Sequence, residues 1–240
     1  MSQKQRVDQQ PSFVLHAYPW RETSLIVEVF ARDHGRVALV AKGARRPHSM
    51  LRGVLMAFQP LLVDWSGAGE VKTLVRAEWL GGQPLLSGRG LLCGYYLNEL
   101  LVQLSAREDP HPQLFQAYSD ALQGLAAKSP PGPLLRRFEL GLLRELGYGI
   151  GLDSVADSGD PVDPGRRYVY IIEKGPVLDD DVAPDLPRVS GQTLLDMAHD
   201  AFERPETVAQ SKTLLRTLIN HYLGGKPLQS RRVLKELQEL

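Results

Sequence analysis

The sequence predicts an α+β protein in two parts: a small β-barrel, then an α-helical bundle carrying a short irregular β-hairpin. Three observations lead there. Five strand-like runs with period-two alternation fill residues 11–80, with no long helical pattern among them. Gly81-Gly82-Gln83-Pro84 then breaks the chain, and beyond it apolar residues recur at helical spacing. Residues 149–189 depart from that spacing and are rich in Asp, Gly and Pro.

Residues 1–10 are polar and read as a disordered N-terminus. The first strand run, Pro11 to Tyr18, sets Phe13 and Leu15 on one face. The second, Ser24 to Phe30, sets Leu25, Val27 and Val29 opposite Ile26, Glu28 and Phe30. The third is Arg36 to Lys42. The fourth, Val54 to Trp65, contains Pro60 and so predicts a bend or break. The fifth, Glu70 to Leu80, carries Val71, Leu74, Val75 and Trp79. Asp33-His34-Gly35, Gly43 and Ser66-Gly67-Ala68-Gly69 supply turns. Five strands within residues 11–82 predict a closed or nearly closed barrel. An OB-fold is the natural candidate, since it is a five-stranded Greek-key barrel that binds nucleic acids. Periodicity alone fits an SH3-like barrel as well.

Residues 83–240 read as a helical domain. Ser87 to Arg107 carries Leu91, Leu92, Tyr95, Tyr96, Leu100, Leu101 and Leu104 on one wide face. A second helix spans Leu114 to Ala127. Pro130, Pro131 and Pro133 read as a rigid link to a third helix, Leu134 to Leu146, with Gly147 as its stop. The hairpin insertion, at about 150–189, holds one clear strand, Arg167 to Glu173, then Gly175-Pro176 and a short Val177-Leu178. Its acidic residues, Asp153, Asp157, Asp160, Asp163, Asp179, Asp180, Asp181 and Asp185, lack the ligand spacing of an EF-hand and read as solvated turns. Ser190 is a good N-cap for a helix bearing Leu194, Leu195, Ala198 and Phe202. Thr207 to Leu223 continues the helical pattern until Gly224-Gly225. Ser230 is placed to cap a final short helix with Val233, Leu234, Leu237 and Leu240.

Of 240 residues, 43% are apolar and 23% charged, as in ordinary globular proteins. The 28 basic and 28 acidic residues balance, which excludes a polycation. Their distribution is uneven. Residues 1–86 hold 11 Lys/Arg against 7 Asp/Glu, and residues 87–240 hold 17 against 21. The single cysteine, Cys93, excludes an intramolecular disulfide and a cysteine-based zinc cluster, and fits a reducing cytoplasm. The first residues lack the apolar core of a signal peptide, and no apolar run approaches the roughly 20 residues of a membrane span. The expectation is a soluble cytoplasmic protein without membrane contact.

The most basic stretch is Arg36 to Arg52, a strand that runs through Gly43 into a loop. Arg36, Lys42, Arg45, Arg46 and Arg52 supply five cations there, and the stretch has no acid. Such a loop is either a solvated surface or a phosphate contact, and counterion release gives the second its affinity. Lys72 and Arg76, four apart on the fifth strand, would share a face and extend the site. Bases stack on aromatic rings. Trp65 and Trp79 read as core, while Trp20, after Pro19 in a predicted loop, fits stacking and packing equally well. No G-x-S-x-G, H-E-x-x-H or P-loop occurs, and His16, His48 and His221 have no ligand spacing. The expectation is a protein that is not an enzyme and uses no cofactor.

Six segments together resemble the RecO family of bacterial recombination mediators. They are FVLHAYPWRETSLIVEVF (Phe13–Phe30), GRVALVAKGARR (Gly35–Arg46), GEVKTLVRAE (Gly69–Glu78), YLNELL (Tyr96–Leu101), LRRFELGLLRELGYG (Leu135–Gly149) and LGGKPLQSR (Leu223–Arg231). The resemblance implies an N-terminal OB-fold followed by a helical domain, and no catalytic residues. It implies binding of single- and double-stranded DNA, annealing of complementary strands, and a nucleoid-associated cytoplasmic location. It also implies binding of the C-terminal tail of single-stranded DNA-binding protein, and action with RecR to load RecA. Many relatives carry a four-cysteine zinc site after the GYG motif. Here Gly147-Tyr148-Gly149 is followed by IGLDSVADSGDPVD, without cysteine or histidine, so a zinc-less hairpin is expected.

The resemblance also bears on Arg136, Arg137 and Leu140. By itself the segment reads as a solvated arginine pair over buried Phe138. In the family it implies a basic rim beside an apolar pocket, suited to an acidic peptide with a hydrophobic end. Adjacent arginines on a helix diverge, so one would serve the pocket. A second function class is a protein-interaction adaptor whose barrel binds a polypeptide rather than DNA. A steep salt dependence of binding separates the two.

Overall fold

The fold is taken from a computed structural model that describes residues 6–179 and 186–238. It comprises two compact units, one of Met1–Ser129 with Leu228–Leu240 and the other of Pro130–Pro227. Strands give way to helices at residues 80–87, but three of those helices belong with the barrel.

In the first unit the strands are β1 (Arg6–Trp20), β2 (Ser24–Ala31), β3 (Gly35–Ala41), β4 (Pro60–Ser66) and β5 (Val71–Trp79), with a one-turn helix α1 (Leu51–Val54) after β3. They close in the order β1-β2-β3-β5-β4, with β4 returning to β1. β3 and β5 run parallel, and the other pairs are antiparallel. This is the OB-fold Greek key. Val14, Val27, Val29, Val37, Leu39, Leu61, Val63 and Trp65 fill its interior.

Several boundaries differ from the sequence reading. Residues 6–10 are strand rather than disordered, pairing with β4 from Arg6 opposite Ser66 to Gln10 opposite Val63. A ladder is held by main-chain hydrogen bonds, so the polar VDQQ stretch pairs although it carries no apolar alternation. Residues 1–5, the rest of the expected disordered segment, lie outside the described residues. The fourth run is strand only from Pro60, which opens β4 where its missing N–H costs no ladder bond.

The barrel ladder has three register shifts, two in β1, between Val7 and Gln10 and at Leu15, and one in β5 at Val75. In β1 the register shifts at Leu15, since Val14 pairs with Val29 but His16 with Glu28. A bulge leaves main-chain groups unpaired. The Asn98 amide meets this one, donating to the Leu15 carbonyl at 2.8 Å, and the Tyr118 hydroxyl donates to the Asn98 carbonyl oxygen. These residues belong to α2 (Gly88–Leu104) and α3 (Pro112–Ala126), which thereby join the barrel. Phe13 and Phe30 pack against Phe115 and Tyr118 with centroids 5.2–6.1 Å apart.

The other unit contains α4 (Pro131–Glu145), a sheet of β6 (Arg167–Ile171), β7 (Gly175–Leu178) and β8 (Arg188–Ser190), then α5 (Gly191–Ala198) and α6 (Pro205–Tyr222). Pro131 and Pro133 lie in the first turn of α4 rather than in a link, where a helix tolerates the missing N–H. Ser190 caps α5, its hydroxyl accepting from the Thr193 N–H at 3.2 Å. The insertion is a three-stranded sheet of order β7-β6-β8. Tyr168, Val169 and Tyr170 of β6 are buried, as are Leu152, Val155 and Val162 in the chain before it. The loop before β6 is tied by Val155 N–H to Asp160 C=O and Ala156 N–H to Pro176 C=O, both 2.8 Å. Asp157 pairs with Lys174 and Asp179 with Arg188. Asp180, Asp181 and Asp185 lie outside the described residues.

The last helix, α7 (Gln229–Gln238), returns to the first unit. Its N-terminus is capped by Glu99 of α2, whose carboxylate accepts from Gln229 N–H at 2.7 Å and from Ser230 N–H at 2.9 Å. A carboxylate there meets both orphan amides and the positive end of the dipole. Ser230, expected as the cap, instead donates its hydroxyl to Glu99. Among the described residues, no helix is long and apolar enough to cross a membrane.

Candidate nucleic-acid interface

The β1–β2 turn and the chain leaving β3 meet at one end of the barrel. Gly43, at φ +69°, turns the chain after β3. Ala44 is then buried in the barrel interior and pins the loop there. The Arg45 N–H donates to Thr23 C=O at 2.8 Å, and its guanidinium to the carbonyls of Arg21 and Glu22 at 3.4 and 3.3 Å. The loop is therefore anchored by its backbone, while Lys42, Arg45, Arg46 and Arg52 stay exposed. Arg45 and Arg52 face one cleft, lined also by Leu25, Ala44, Leu51 and Leu55. Among the described residues, no carboxylate forms an ion pair with these four cations.

Trp20 is the last residue of β1, not part of a loop, and its side chain is 44% exposed beside this cluster. Trp65 is core, as expected. Trp79 is not: it ends β5 at the rim of the barrel, 58% exposed, with its indole N–H donating to Gln59 at 3.1 Å.

Two expected phosphate contacts are committed elsewhere. Arg36 pairs with buried Glu28 at 3.4 Å and donates to the Ser105 carbonyl at 3.0 Å. Burial lowers its pKa from the ordinary value, with Arg107 adding to the shift and Glu28 opposing it. Arg107, in the loop after α2, also pairs with Glu28. Lys72 is only 8% exposed and pairs with Glu108 of the same loop. These cations stitch loop and barrel together. Lys72 and Arg76 do not share a face, because β5 bulges at Val75: Leu74 pairs with Trp65 and Arg76 with Asp64. Arg76 points to solvent, paired with Glu78.

In the second unit the arginines diverge as expected, with a correction. Arg136 is 6% exposed and donates to buried Glu139 at 2.5 Å, and Leu140 is buried in the interior. Neither can meet a peptide. Arg137 reaches the surface, donating to the Asp200 carboxylate at 2.7 Å and lying 5.8 Å from the Phe202 ring centroid. It borders a cavity of about 590 Å³ whose lining includes Phe202, Pro205, Val208, Lys212 and Glu203, the last also pairing with Arg137 at 3.8 Å. Phe202 lies in the connection after α5, not on a helix. Among the described residues, no three His, Cys, Asp or Glu side chains gather as a metal-ligand set.

A family profile described as recombination protein O N terminal matches residues 5–83, and one described as recombination protein O C terminal matches residues 86–232. The chain belongs to the RecO family. Proteins named DNA repair protein RecO are similar over their length. That of Aromatoleum aromaticum is 76% identical over 100% of both chains. That of an Azoarcus species is 70% identical, again over 100% of both. That of Burkholderia orbicola is 58% identical over 98% of this chain and 84% of its own.

In this RecO sequence, residue patterns alone missed Lys212 in the lining of the cavity beside Arg137, and Glu28 and Glu108 as the partners of the withdrawn cations. One signal was present. Glu28 is an acid on the otherwise apolar face of Ile26 and Phe30 in the middle of a strand, and a buried acid calls for a cation.

Proposed function

We propose that this protein acts in DNA repair and recombination as a non-catalytic DNA-binding mediator. Its barrel binds single- and double-stranded DNA and anneals complementary strands. Its helical unit takes the C-terminal tail of single-stranded DNA-binding protein, and it works with RecR to load RecA at the nucleoid. The observation that carries the DNA reading is the exposed, unpaired cation cluster Lys42, Arg45, Arg46 and Arg52 beside Trp20. The tail reading rests on the apolar cavity bordered by Arg137 and Lys212, since an acidic peptide with a hydrophobic end needs cations at the rim and an apolar floor. Family membership supports both.

The test is a titration with a labelled single-stranded oligonucleotide at several salt concentrations. Four phosphate contacts predict a log-log salt slope near −3. Tight binding with a flat slope would replace phosphate contact by an apolar interface, and absence of binding would refute the reading.

A further inference from the structure

The β1 bulge has a consequence on the outside of the barrel. Residues directly opposite in antiparallel strands share a face. Beyond Leu15, Ala17 pairs with core residue Val27, while His16 pairs with Glu28, Tyr18 with Ile26 and Trp20 with Ser24 on the opposite face; Ala17 itself is exposed, because β1 here runs past the barrel interior. The three rings of His16, Tyr18 and Trp20 therefore step along one outer face, all exposed. The His16 and Tyr18 rings lie 6.0 Å apart and 32° from parallel. Lys42 follows Ala41, which pairs with Leu25, so Lys42 sits two strands across from Trp20, about 10 Å away, at the start of the basic loop.

We propose that this row is a base-stacking platform that makes the barrel prefer single strands. The inference rests on the DNA-binding reading and assigns the rings a task distinct from that of the cations. Alternate residues of a strand are about 6.6 Å apart, roughly twice the 3.4 Å rise of a duplex strand. Successive bases reach successive rings only from a stretched, unstacked strand. A duplex, with its bases stacked inside, meets the cations alone.

The test compares Tyr18→Ala/Trp20→Ala with Arg45→Ala/Arg46→Ala on a single-stranded oligonucleotide, a duplex of the same length, and an abasic single strand. Losing two stacking rings lowers single-strand affinity by roughly tenfold or more. Duplex affinity and the salt slope stay as in the wild type. The arginine variant weakens both ligands and flattens the slope. The abasic strand binds the wild type no better than the base-bearing strand binds the ring variant, a comparison independent of the variant's folding. Equal loss of single strand and duplex in the ring variant, or wild-type affinity for the abasic strand, overturns the platform. If the wild type binds neither single strand nor duplex, the DNA reading itself fails.

Discussion

Gly35 and Gly43 have nearly the same backbone conformation, φ +64° and +69°, yet replacing each with alanine should have very different effects. A side chain in the left-handed region costs about 1–2 kcal/mol, and about 0.4–1 kcal/mol of that is offset by a stiffer unfolded chain. For Gly43 this is nearly the whole effect, because the added Cβ would meet only the flexible Arg46 side chain, at 3.5 Å. At Gly35 the Cβ would lie 2.0 Å from the Asp109 carbonyl oxygen and 2.5 Å from its carbon. The loop after α2 must then withdraw. It would lose the Glu108 N–H to Arg36 C=O bond of 2.9 Å, worth about 1 kcal/mol, and loosen the Arg107–Glu28 and Lys72–Glu108 pairs. Stripping a partner from a buried acid costs about 3–5 kcal/mol, less here because Glu28 keeps Arg36. The expected losses are about 3–5 kcal/mol for Gly35→Ala and about 1 kcal/mol or less for Gly43→Ala. All three tryptophans, Trp20, Trp65 and Trp79, lie in the barrel, so their emission during urea unfolding reports this unit. Stabilities of the two variants within 1 kcal/mol of each other would refute the view that loop and barrel are locked at Gly35.

Other outcomes follow from the two sites. Arg45→Ala/Arg46→Ala should flatten the single-strand salt slope by about 1.4 without changing the urea midpoint, as a salt series on the double variant would read. Arg137→Ala should weaken a labelled tail peptide by about 1–3 kcal/mol in fluorescence anisotropy, leaving DNA binding intact. Arg136→Ala should instead destabilise the second unit, by up to about 3–5 kcal/mol, since it removes the cation that pairs with buried Glu139; a stable variant that loses the peptide would reverse the two roles. Asp196 of α5 is partly desolvated, which raises its pKa. Hydrogen bonds from Thr207, Gln192 and Arg204 outweigh this and hold it below the ordinary carboxylate value. Its contribution is present above the unfolded pKa of about 3.9 and is lost as pH falls through the lower folded value. Helical circular dichroism of Asp196→Asn should thus show lower stability than wild type near neutrality, with the gap closing in acid.

The barrel was legible because period-two runs such as Ser24–Phe30 and turn glycines such as Gly35 and Gly43 act locally. Its first turn of strand was not, because residues 6–10 are held by main-chain bonds to β4, which leave no mark in side-chain periodicity. β8 was missed for a related reason: three residues, Arg188–Ser190, are too few to show a period. Local patterning marked the end of the strands at 80–87, but only packing assigned α2, α3 and α7 to the barrel, through Asn98, Tyr118 and Glu99.

The same division runs through the candidate sites. Where cations gather is legible along the chain, since Lys42, Arg45, Arg46 and Arg52 need no partner to be seen. Which of the cations are free depends on packing. Arg36 and Lys72 look the same in sequence as Arg45, yet Glu28, eight residues away on the neighbouring strand, and Glu108, 36 residues away, withdraw them from the surface. Arg136 and Arg137 are neighbours with opposite fates, because the helix turns one toward buried Glu139 and the other toward solvent. Residue type determines charge from a single position, whereas exposure and pairing depend on what distant segments bring alongside, and that is settled only when the chain closes on itself.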